Sequence, residues 1–528
     1  MTATSCLRTC TLALLGTLLL CVGLLYTLDL DGVQAQHATI PLQLRPFRPL
    51  PIRVANAVGY VLQKYRLLHI LLPLDEHQLI LKACTSAAVA AQLASFPATP
   101  CPLLQDDSTT EWRIGLRTLL HSLETDAALT LFGRYFASQQ IGDSLQRRAM
   151  VQMYWNTHHQ WKKERIEQPI FIVGLPRTGT TFLQELLGQD RTLRTTKMWE
   201  LMSPVPPPPS PSDAAAYAQP AVLARIANVQ WNLDQYKRLA PGLDAWHPVH
   251  SMRPEECILT LASTFDSQQY SATYPVASYN AWIHQHRNHS YAMQWHKHVL
   301  QTLQSSVTLS YPAETKTQWV LKTPYFLPLL EDIRNVYPDA LIIHTHRNPE
   351  QVLASAASVH TKTFGIVSDR IDLKQIGQEQ MQLQRTFLSK AMRTREKWSI
   401  EKNATRNSSG SSGSGSDTQG FPNGFNVIDV HLVDLQQDTI GQVRRIFTRL
   451  LGRELTAEGE QLMREWLTVN KRGKHGKHRF QKEDFDIATE GDVLFEKYAT
   501  QFQTKNAARG GGGGGGRDAA THTGANDL

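Results

Sequence analysis

The 528-residue sequence lacks the features that mark several large classes of protein. It holds six cysteines, and none of them are spaced as the paired ligands of a zinc site. It shows no nucleic-acid-binding motif and no internal repeat, so its net charge of +7 and pI of about 9.0 are weak evidence for DNA or RNA binding. This charge suits an anionic small molecule or an acidic acceptor instead. With 41% apolar residues, the chain can bury a substantial core.

Charged residues are also missing from Thr9 to Leu28, a leucine-rich run. A helix of about 20 residues spans the hydrocarbon core of a bilayer. Because Arg8 precedes the run and acidic residues follow it, we expect a cytoplasmic N-terminus. Residues 1–35 are therefore predicted to form a cytoplasmic tail and a transmembrane signal anchor of type II. A signal peptide cleaved after Val33-Gln34-Ala35, with secretion of the rest, is the alternative.

Two further features bear on a location in the secretory pathway. Glycosylation sequons begin at Asn288, Asn403 and Asn407, and they support such a location weakly. Cys84 and Cys101 could close a disulfide and leave a third cysteine unpaired, but the sequence does not decide this.

The most informative motif lies in residues 169–181. A run of β-branched and aromatic residues predicts a buried strand that ends at Gly174, and a helical pattern begins near Thr180. A strand, a glycine loop and a helix in this order direct backbone N–H groups at a phosphate. Gly174 and Gly179 have P-loop spacing, but Thr180 stands where nucleotide-hydrolysing enzymes carry lysine. We therefore expect a phosphate cradle for a donor other than ATP.

Two later segments carry candidate anion-binding residues. A buried strand pattern ends at Arg347, and the helix that follows begins at Pro349. Ser355 lies eight residues after Arg347, so it falls within the first turns of that helix. Another strand pattern ends at Lys322. Open α/β sheets bind ligands at such strand ends, and an arginine can fork onto phosphate oxygens.

Together these motifs resemble those of sulfotransferases that use 3′-phosphoadenosine-5′-phosphosulfate (PAPS), including, distantly, the tyrosylprotein and carbohydrate enzymes. The likeness covers roughly residues 167–487 and consists of short motifs. It implies an α/β fold, a parallel sheet flanked by helices with a P-loop-like phosphate cradle. It also implies transfer of a sulfuryl group from PAPS to a hydroxyl or amine without a required metal. For a eukaryote, it suggests the Golgi lumen.

The resemblance also assigns roles to residues. The 5′-phosphosulfate loop would consist of Arg177, Thr178, Gly179, Thr180 and Thr181. Arg347 and Ser355 would hold the 3′-phosphate, while Lys322 and Arg177 would lie near the sulfuryl group.

A basic run over residues 471–479 partly resembles a late loop that closes over the nucleotide in many sulfotransferases. Its residue order departs from theirs, so the likeness extends to Arg472 and Gly473 alone. A solvated charge run and a polyanion-binding patch are the alternatives. Lys474, Lys477 and Arg479 could instead face an anionic acceptor.

The acceptor hydroxyl needs a base. Tyrosylprotein sulfotransferases place a glutamate about twenty residues after the loop arginine, and Glu200 lies at nearly that distance here. We therefore predict Glu200 as the base. His247 and His250 are the alternatives, because other sulfotransferases use histidine.

The rest of the chain is organised around this core. We predict a stem over residues 36–75, a helical region over 76–166 and a sulfotransferase domain over 167–490. Disordered segments are expected at 401–424, within the domain, and at 506–528.

Two other functions remain possible from the sequence. A nucleotide kinase would need a lysine at position 180 and a metal-binding aspartate at a strand end, and the sequence has neither. An inactive nucleotide-binding membrane protein would keep the donor loop and lack a working base. The acceptor is not identified: glycan is favoured by compartment, and protein tyrosine, lipid and a small secreted molecule are also open.

Overall fold

The computed structural model describes most of the chain between positions 40 and 504. The described residues are 40–41, 44–65, 67–94, 100–107, 109–209, 214–241, 243–285, 288–310, 318–408, 426–470 and 481–504.

Five strands and a larger number of helices make up the described chain. The strands are β1 Ile170–Gly174, β2 Leu193–Thr195, β3 Gln318–Lys322, β4 Leu341–His346 and β5 Asn426–His431. The helices before β1 are α1 Leu50–Lys64, α2 Leu68–Leu71, α3 Glu76–Cys84, α4 Ala87–Ala94, α5 Pro102–Gln105, α6 Glu111–Thr125 and α7 Leu131–Thr157. Those between β1 and β3 are α8 Thr180–Leu187, α9 Met198–Met202, α10 Ala214–Tyr217, α11 Pro220–Leu239, α12 Leu243–Trp246, α13 Ile258–Ala262, α14 Gln268–Thr273, α15 Ala277–His284 and α16 Ser290–Ser310. Those after β3 are α17 Leu330–Val336, α18 Pro349–Val367, α19 Leu373–Ser408, α20 Leu432–Gln437, α21 Thr439–Arg449, α22 Ala457–Val469 and α23 Val493–Gln501. Short 3₁₀ turns cover Gln160–Lys163, Pro324–Leu329 and Lys482–Phe485.

The strands form one parallel sheet in the order β2-β3-β1-β4-β5. Its central strands are buried on both faces, as parallel sheets covered by helices require. Successive side chains of β1 alternate between two apolar clusters. Phe171 and Val173 pack towards α16–α19, whereas Ile170 and Ile172 pack towards α8 and α20–α22. The predicted parallel sheet flanked by helices is confirmed.

The helices before β1 pack with later helices, among them α9, α11 and α13–α15, in a second apolar cluster. Trp112, Leu116 and Leu119 of α6 lie fully buried in it. A disulfide between Cys84 and Cys101 ties the end of α3 to the residue that precedes α5. The third cysteine of the described chain, Cys257, is free and buried. The pairing that the sequence left open is thus present.

The fold-class prediction is wrong in one part, the transmembrane anchor. None of the helices that the structure describes is long and apolar enough to cross a membrane. The segment on which the prediction rested, Thr9 to Leu28, lies outside the described residues.

The two segments predicted to be disordered also fall mainly outside the described chain. Helix α19 runs to Ser408, into the first part of the 401–424 segment, and residues 409–425 are not described. The tail from 505 onward is not described either.

Candidate active site

The site lies where β1, β3 and β4 end, and its centre is the loop after β1. Gly174 closes β1 with φ of +155°, a conformation that side chains rarely adopt. A Cβ at this position would lie 2.3 Å from Thr345 Oγ1 on the neighbouring strand β4. Glycine is therefore required here because the loop passes directly against β4.

A pair of threonine hydroxyls fastens the loop to the sheet. Thr178 Oγ1 donates to the carbonyl of Leu175 at 2.7 Å and lies 2.6 Å from Thr345 Oγ1. Thr345 Oγ1 in turn lies 3.2 Å from the carbonyl of Val173. All these groups are buried. The Thr178 side chain, predicted to hold phosphate, therefore fixes the shape of the loop.

Helix α8 begins immediately after the loop. Gly179, with φ of +90°, precedes its first residue Thr180, and Arg177 also has a positive φ of +65°. The first N–H groups of a helix have no partner within the helix, and the helix dipole makes this end positive. The structure thus places the predicted residues Arg177 to Thr181 around the start of α8, as a phosphate cradle requires.

Lys322 and Arg347 reach this loop from two other strands. Lys322, at the end of β3, donates from Nζ to Thr181 Oγ1 at 3.1 Å. Arg347, one residue after β4, donates from Nη1 to the carbonyl of Arg177 at 3.0 Å. Three predicted motifs that are far apart in the sequence therefore meet at one edge of the sheet.

The remaining part of the predicted 3′-phosphate motif lies in α18. Asn348 caps this helix by accepting from the N–H of Glu350 at 3.0 Å, and Pro349 is its first residue. Arg347 Nε donates to Gln351 Oε1 at 3.1 Å, which orients its guanidinium along the first turn. Ser355 is fully buried two turns into the helix. Arg347 therefore borders the phosphate loop from the start of α18.

A carboxylate that the sequence analysis did not assign holds Lys322 in place. Glu256 accepts from Lys322 Nζ at 2.8 Å through one oxygen and from Thr323 Oγ1 at 2.9 Å through the other. The Lys322 side chain is 1% exposed, so its charge needs such a partner. The acidic pair at positions 255–256 was visible in the sequence, but nothing local linked it to a strand 66 residues away.

Glu200, the predicted base, lies in a neighbouring buried cluster. Its Oε2 accepts from the N–H of Lys197 at 3.0 Å, and Arg194 Nη2 lies 3.7 Å from its Oε1. The Arg194 guanidinium stacks over Trp319 at 4.4 Å. Burial lowers the pKa of Arg225, which is coupled to Glu200, to about 10. The predicted base is thus surrounded by cations, and Arg194 is a member of this cluster that the sequence analysis missed.

His247 belongs to a second cluster, which also contains Glu255, Glu256 and Lys322. Its Nε2 is 3.3 Å from Glu255 Oε1, and its side chain is 34% exposed. Burial lowers the pKa of His247, but the neighbouring Glu255 carboxylate outweighs burial, so its pKa is raised above the usual value. The same pairing, together with Lys322, opposes the effect of burial on Glu255 and brings the pKa of its carboxyl to about 2.

His250, the other alternative, is exposed, and its Nδ1 accepts from the N–H of Met252 at 3.1 Å. This contact uses one ring nitrogen within a local turn. Of the two histidines, His247 is therefore the one coupled to the acidic pair.

The segment over residues 253–257 connects the cluster around Glu200 with the cluster that contains Glu256 and Lys322. The N–H of Met198 donates to the carbonyl of Arg253, and the N–H of Glu255 donates to the carbonyl of Thr196. The N–H of Cys257 then donates to the carbonyl of Lys322 at 3.0 Å. One backbone segment thus fixes both the start of α9, which carries Glu200, and the end of β3.

Behind Arg347, a group of metal-ligating side chains comes together in the described chain. His344, His346 and Asp429 place their ligand atoms within 4.8 Å of one another. Arg395, however, donates to both Asp429 oxygens at 2.6 and 2.9 Å, and its Nη1 lies 3.0 Å from His344 Nδ1. The guanidinium therefore supplies the positive charge that a metal would bring, and the group forms a hydrogen-bond network that also includes Tyr498.

The predicted closing residues Arg472 and Gly473 lie outside the described residues, as do Lys474, Lys477 and Arg479. Their roles stay predictions.

Comparison with known proteins agrees with this geometry. A family model described as "Sulfotransferase family" matches residues 169–456, which is more than half of the chain. The chain belongs to the sulfotransferase family. The match includes the cradle, Glu200, Lys322 and the Arg347 motif. A search of the curated proteins found no match.

Two solved structures share the fold. Sulfotransferase STF1 from Mycobacterium tuberculosis has 25% identity and a TM-score of 0.57, covering 80% of this chain and 99% of that one. Sulfotransferase STF9 from Mycobacterium avium has 23% identity and a TM-score of 0.61, covering 75% and 92%. The sulfotransferase resemblance seen in the sequence is therefore confirmed.

Proposed function

We propose that this protein transfers the sulfuryl group of PAPS to a hydroxyl or amine of an acceptor in the secretory pathway. The observation that carries the proposal is the meeting of three motifs at one sheet edge. Lys322 contacts Thr181 of the cradle, and Arg347 contacts the backbone of Arg177. Such a site offers cations at both ends of a nucleotide that carries a 5′-phosphosulfate and a 3′-phosphate.

In this proposal each group of residues has a separate role in the reaction. The start of α8 and residues Arg177 to Thr181 bind the 5′-phosphate, and Arg347 and Ser355 bind the 3′-phosphate. Lys322 stabilises the negative charge that develops as the bond between sulfur and the bridging phosphate oxygen breaks. A new sulfur–oxygen or sulfur–nitrogen bond forms to the acceptor, whose proton passes to a base, and the desulfated nucleotide leaves.

Glu200 remains the proposed base, and His247 is its competitor. Glu200 is favoured by its surroundings, because Arg194 lies 3.7 Å from its carboxylate and the N–H of Lys197 donates to it. His247 has a different advantage, because its partner Glu255 is coupled to Lys322. A histidine oriented by a carboxylate is a common arrangement for proton transfer.

The proposed compartment is the lumen of the secretory pathway, with the Golgi suggested by the family resemblance. The Cys84–Cys101 disulfide supports an oxidising compartment. Asn288 of the first sequon is exposed just before α16. If the protein passes through this pathway in a eukaryotic cell, enzymatic removal of N-glycans should change its electrophoretic mobility. Loss of part of that change in Asn288→Gln would support the location, and no change in the wild type would contradict it.

The donor is tested by calorimetric binding of 3′-phosphoadenosine-5′-phosphate, with ATP as the competing nucleotide. We expect the 3′-phosphorylated nucleotide to bind at least about 10-fold more tightly than ATP, and Arg347→Ala to remove most of that preference. Arg238→Ala, which removes an exposed arginine of α11, is the matched control. Preference for ATP would favour the phosphotransferase alternative and contradict the proposal.

Acceptor screening with PAPS labelled in the sulfuryl group then separates an enzyme from an inactive binding protein. Transfer of label to a glycan, protein or lipid fraction supports the proposal. Tight nucleotide binding without transfer to any of these would support the inactive alternative.

A further inference from the structure

A second concave site lies on the helical side of the molecule, between α5, α7 and α16. Its volume is about 420 Å³, within the usual range for small-molecule sites. Helix α16 separates it from the sheet. Tyr291, Trp295 and His298 of this helix line the cavity. His296, in contrast, is hydrogen-bonded through Nδ1 to the Tyr337 hydroxyl at 2.7 Å, and its ring packs on Phe171 of β1. The cavity is therefore distinct from the strand ends that form the donor site.

Aromatic rings form one wall of the cavity. The ring centroids of Trp155 and Trp295 lie 4.7 Å apart, and the Trp155 indole N–H donates to Thr302 Oγ1 at 2.7 Å. Because its N–H is already used and its side chain is partly exposed, Trp155 offers ring surface to a ligand. Flat aromatic surface of this kind packs against the C–H face of a ligand.

The charges within the lining compensate each other. Asp106 accepts from the Trp112 indole N–H at 2.7 Å and lies 3.8 Å from Arg148 Nη2. Arg148 also donates to Tyr291 OH at 2.6 Å and stacks over Trp295 at 4.5 Å. These are the two charged residues among the side chains of the lining, since burial lowers the pKa of His298 and keeps that ring neutral at pH 7. The side chains of the lining thus carry balanced charge, and positive charges outside it, those of Lys297 and Lys162, act on His298.

Four primary amides and Pro102 form the rest of the lining. Gln105, Asn156 and Gln294 are exposed at the rim, and Gln152 lies deeper. Among the described residues, Gln152 Oε1 is buried and accepts no hydrogen bond, although its Nε2 lies 3.4 Å from Asp106 Oδ2. An amide offers a donor and an acceptor side by side. Neighbouring hydroxyls of a polyol match this pattern, and a purely apolar ligand would leave Gln152 Oε1 without a partner.

We propose that this cavity binds a neutral sugar residue of a glycan. Aromatic surface, paired amide donors and acceptors and a balanced charge together favour an uncharged polyol with an apolar face. They disfavour nucleotides, phosphates and sulfated sugars, which need excess positive charge. The inference goes beyond the proposed transfer reaction and does not depend on it, because sugar binding can be measured without PAPS.

The test uses the full-length protein and four neutral probes: cellohexaose, laminarihexaose, xylohexaose and mannohexaose. Binding is followed by tryptophan fluorescence and by saturation-transfer NMR. We expect at least one probe to bind with a Kd below about 1 mM. We expect Trp155→Ala to weaken that binding at least about 10-fold, as loss of an aromatic anchor does.

Two further variants distinguish a loss of sugar binding from a loss of the folded structure. Trp155 packs on Trp161 and Trp295, so its removal could disturb the fold. The double variant Asn156→Ala with Gln294→Ala changes exposed amides and should weaken binding about 5-fold or more. Gln461→Ala removes an exposed amide of α22, far along the chain, and should leave binding unchanged. No binding by any probe at about 10 mM, or binding that the cavity variants leave intact, would overturn the inference.

Discussion

The donor side and the acceptor side of the site are built in different ways. On the donor side, Gly174 and Gly179 shape a short continuous loop whose backbone lies against β4. The proposed acceptor side consists of Arg194, Glu200, His247, Glu255 and Glu256. There the Glu256 side chain reaches Lys322, which lies 66 residues away in sequence. Main-chain geometry therefore specifies one half of the site, and long-range ion pairing specifies the other.

The largest effect should come from Gly174→Ala on the donor side. The new methyl group would meet Thr345 Oγ1 at 2.3 Å, and φ of +155° is unfavourable for alanine. Both the loop and β4 would have to move. We expect a loss of about 3 kcal/mol in the free energy of unfolding and at least about 100-fold weaker binding of 3′-phosphoadenosine-5′-phosphate.

Urea denaturation and calorimetry measure these two effects. Gly452→Ala is a useful control, because Gly452 also has positive φ, +64°, but no atom of the described chain lies within 4 Å of the place that its Cβ would take. Its effect should be confined to backbone strain. Equal losses in the two variants would show that contact with β4 is unimportant.

Lys322→Met should have the next largest effect, and it acts where the two sides meet. Removal of the ammonium takes away both the contact to Thr181 and the partner of Glu256. We expect kcat for sulfuryl transfer to fall about 100- to 1000-fold, as when one transition-state donor is lost. Nucleotide affinity should fall less, because the cradle and Arg347 remain.

The conservative variant Lys322→Arg and a measurement of the thermal unfolding midpoint accompany this experiment. They separate loss of charge from loss of structure. A kcat within about threefold of wild type in Lys322→Met would exclude Lys322 from the chemistry.

A smaller effect is expected from the network behind Arg347. Burial lowers the pKa of His346 to about 4, although Asp429 opposes this shift. The unfolded chain binds a proton near pH 6.5, so the contribution of His346 is complete above that pH and is lost as pH falls towards 4. At pH 5 the loss should be about 2 kcal/mol.

The free energy of unfolding at pH 7 and pH 5, from urea denaturation, measures this loss. In His346→Gln the difference between the two pH values should shrink by about 2 kcal/mol, since the titrating ring is gone. The same difference in variant and wild type would show that His346 is not held neutral.

The smallest effect distinguishes the two candidate bases. A histidine base must be neutral, so with His247 in this role the rate rises with pH through its raised pKa. Glu255→Gln removes the carboxylate that raises this pKa. The rising limb of the pH profile of kcat/KM should then move to lower pH.

If Glu200 is the base, the limb should stay in place in Glu255→Gln, and Glu200→Gln should abolish most of the rate. Asp234→Asn, an exposed carboxylate on α11, controls for a general change of charge. The two outcomes identify either His247 or Glu200 as the base that takes the proton of the acceptor.

The sequence allowed the donor side to be predicted because its signals are local. The strand patterns, the glycine spacing and Arg347 eight residues before Ser355 each lie within one short segment. A parallel sheet then brings strand ends to one edge as a matter of topology. The sheet, the cradle and the positions of Lys322 and Arg347 could therefore be predicted from the sequence.

The acceptor side could not be predicted in the same way. Glu256 pairs with Lys322, and Arg194 approaches Glu200, through tertiary packing that no short pattern encodes. The cluster of His344, His346, Asp429 and Arg395 also joins three separate elements. The transmembrane anchor was predicted from a single apolar run in the sequence.

We propose that the edge formed by β1, β3 and β4 recognises a 3′-phosphorylated nucleotide. The most direct measurement compares the calorimetric affinities of 3′-phosphoadenosine-5′-phosphate and adenosine-5′-phosphate in wild type and in Arg347→Ala. We predict that the 3′-phosphate improves affinity by at least about 30-fold in wild type and by less than about threefold in the variant. Equal affinities in wild type, or a preference that Arg347→Ala leaves unchanged, would exclude Arg347 from recognition of the 3′-phosphate.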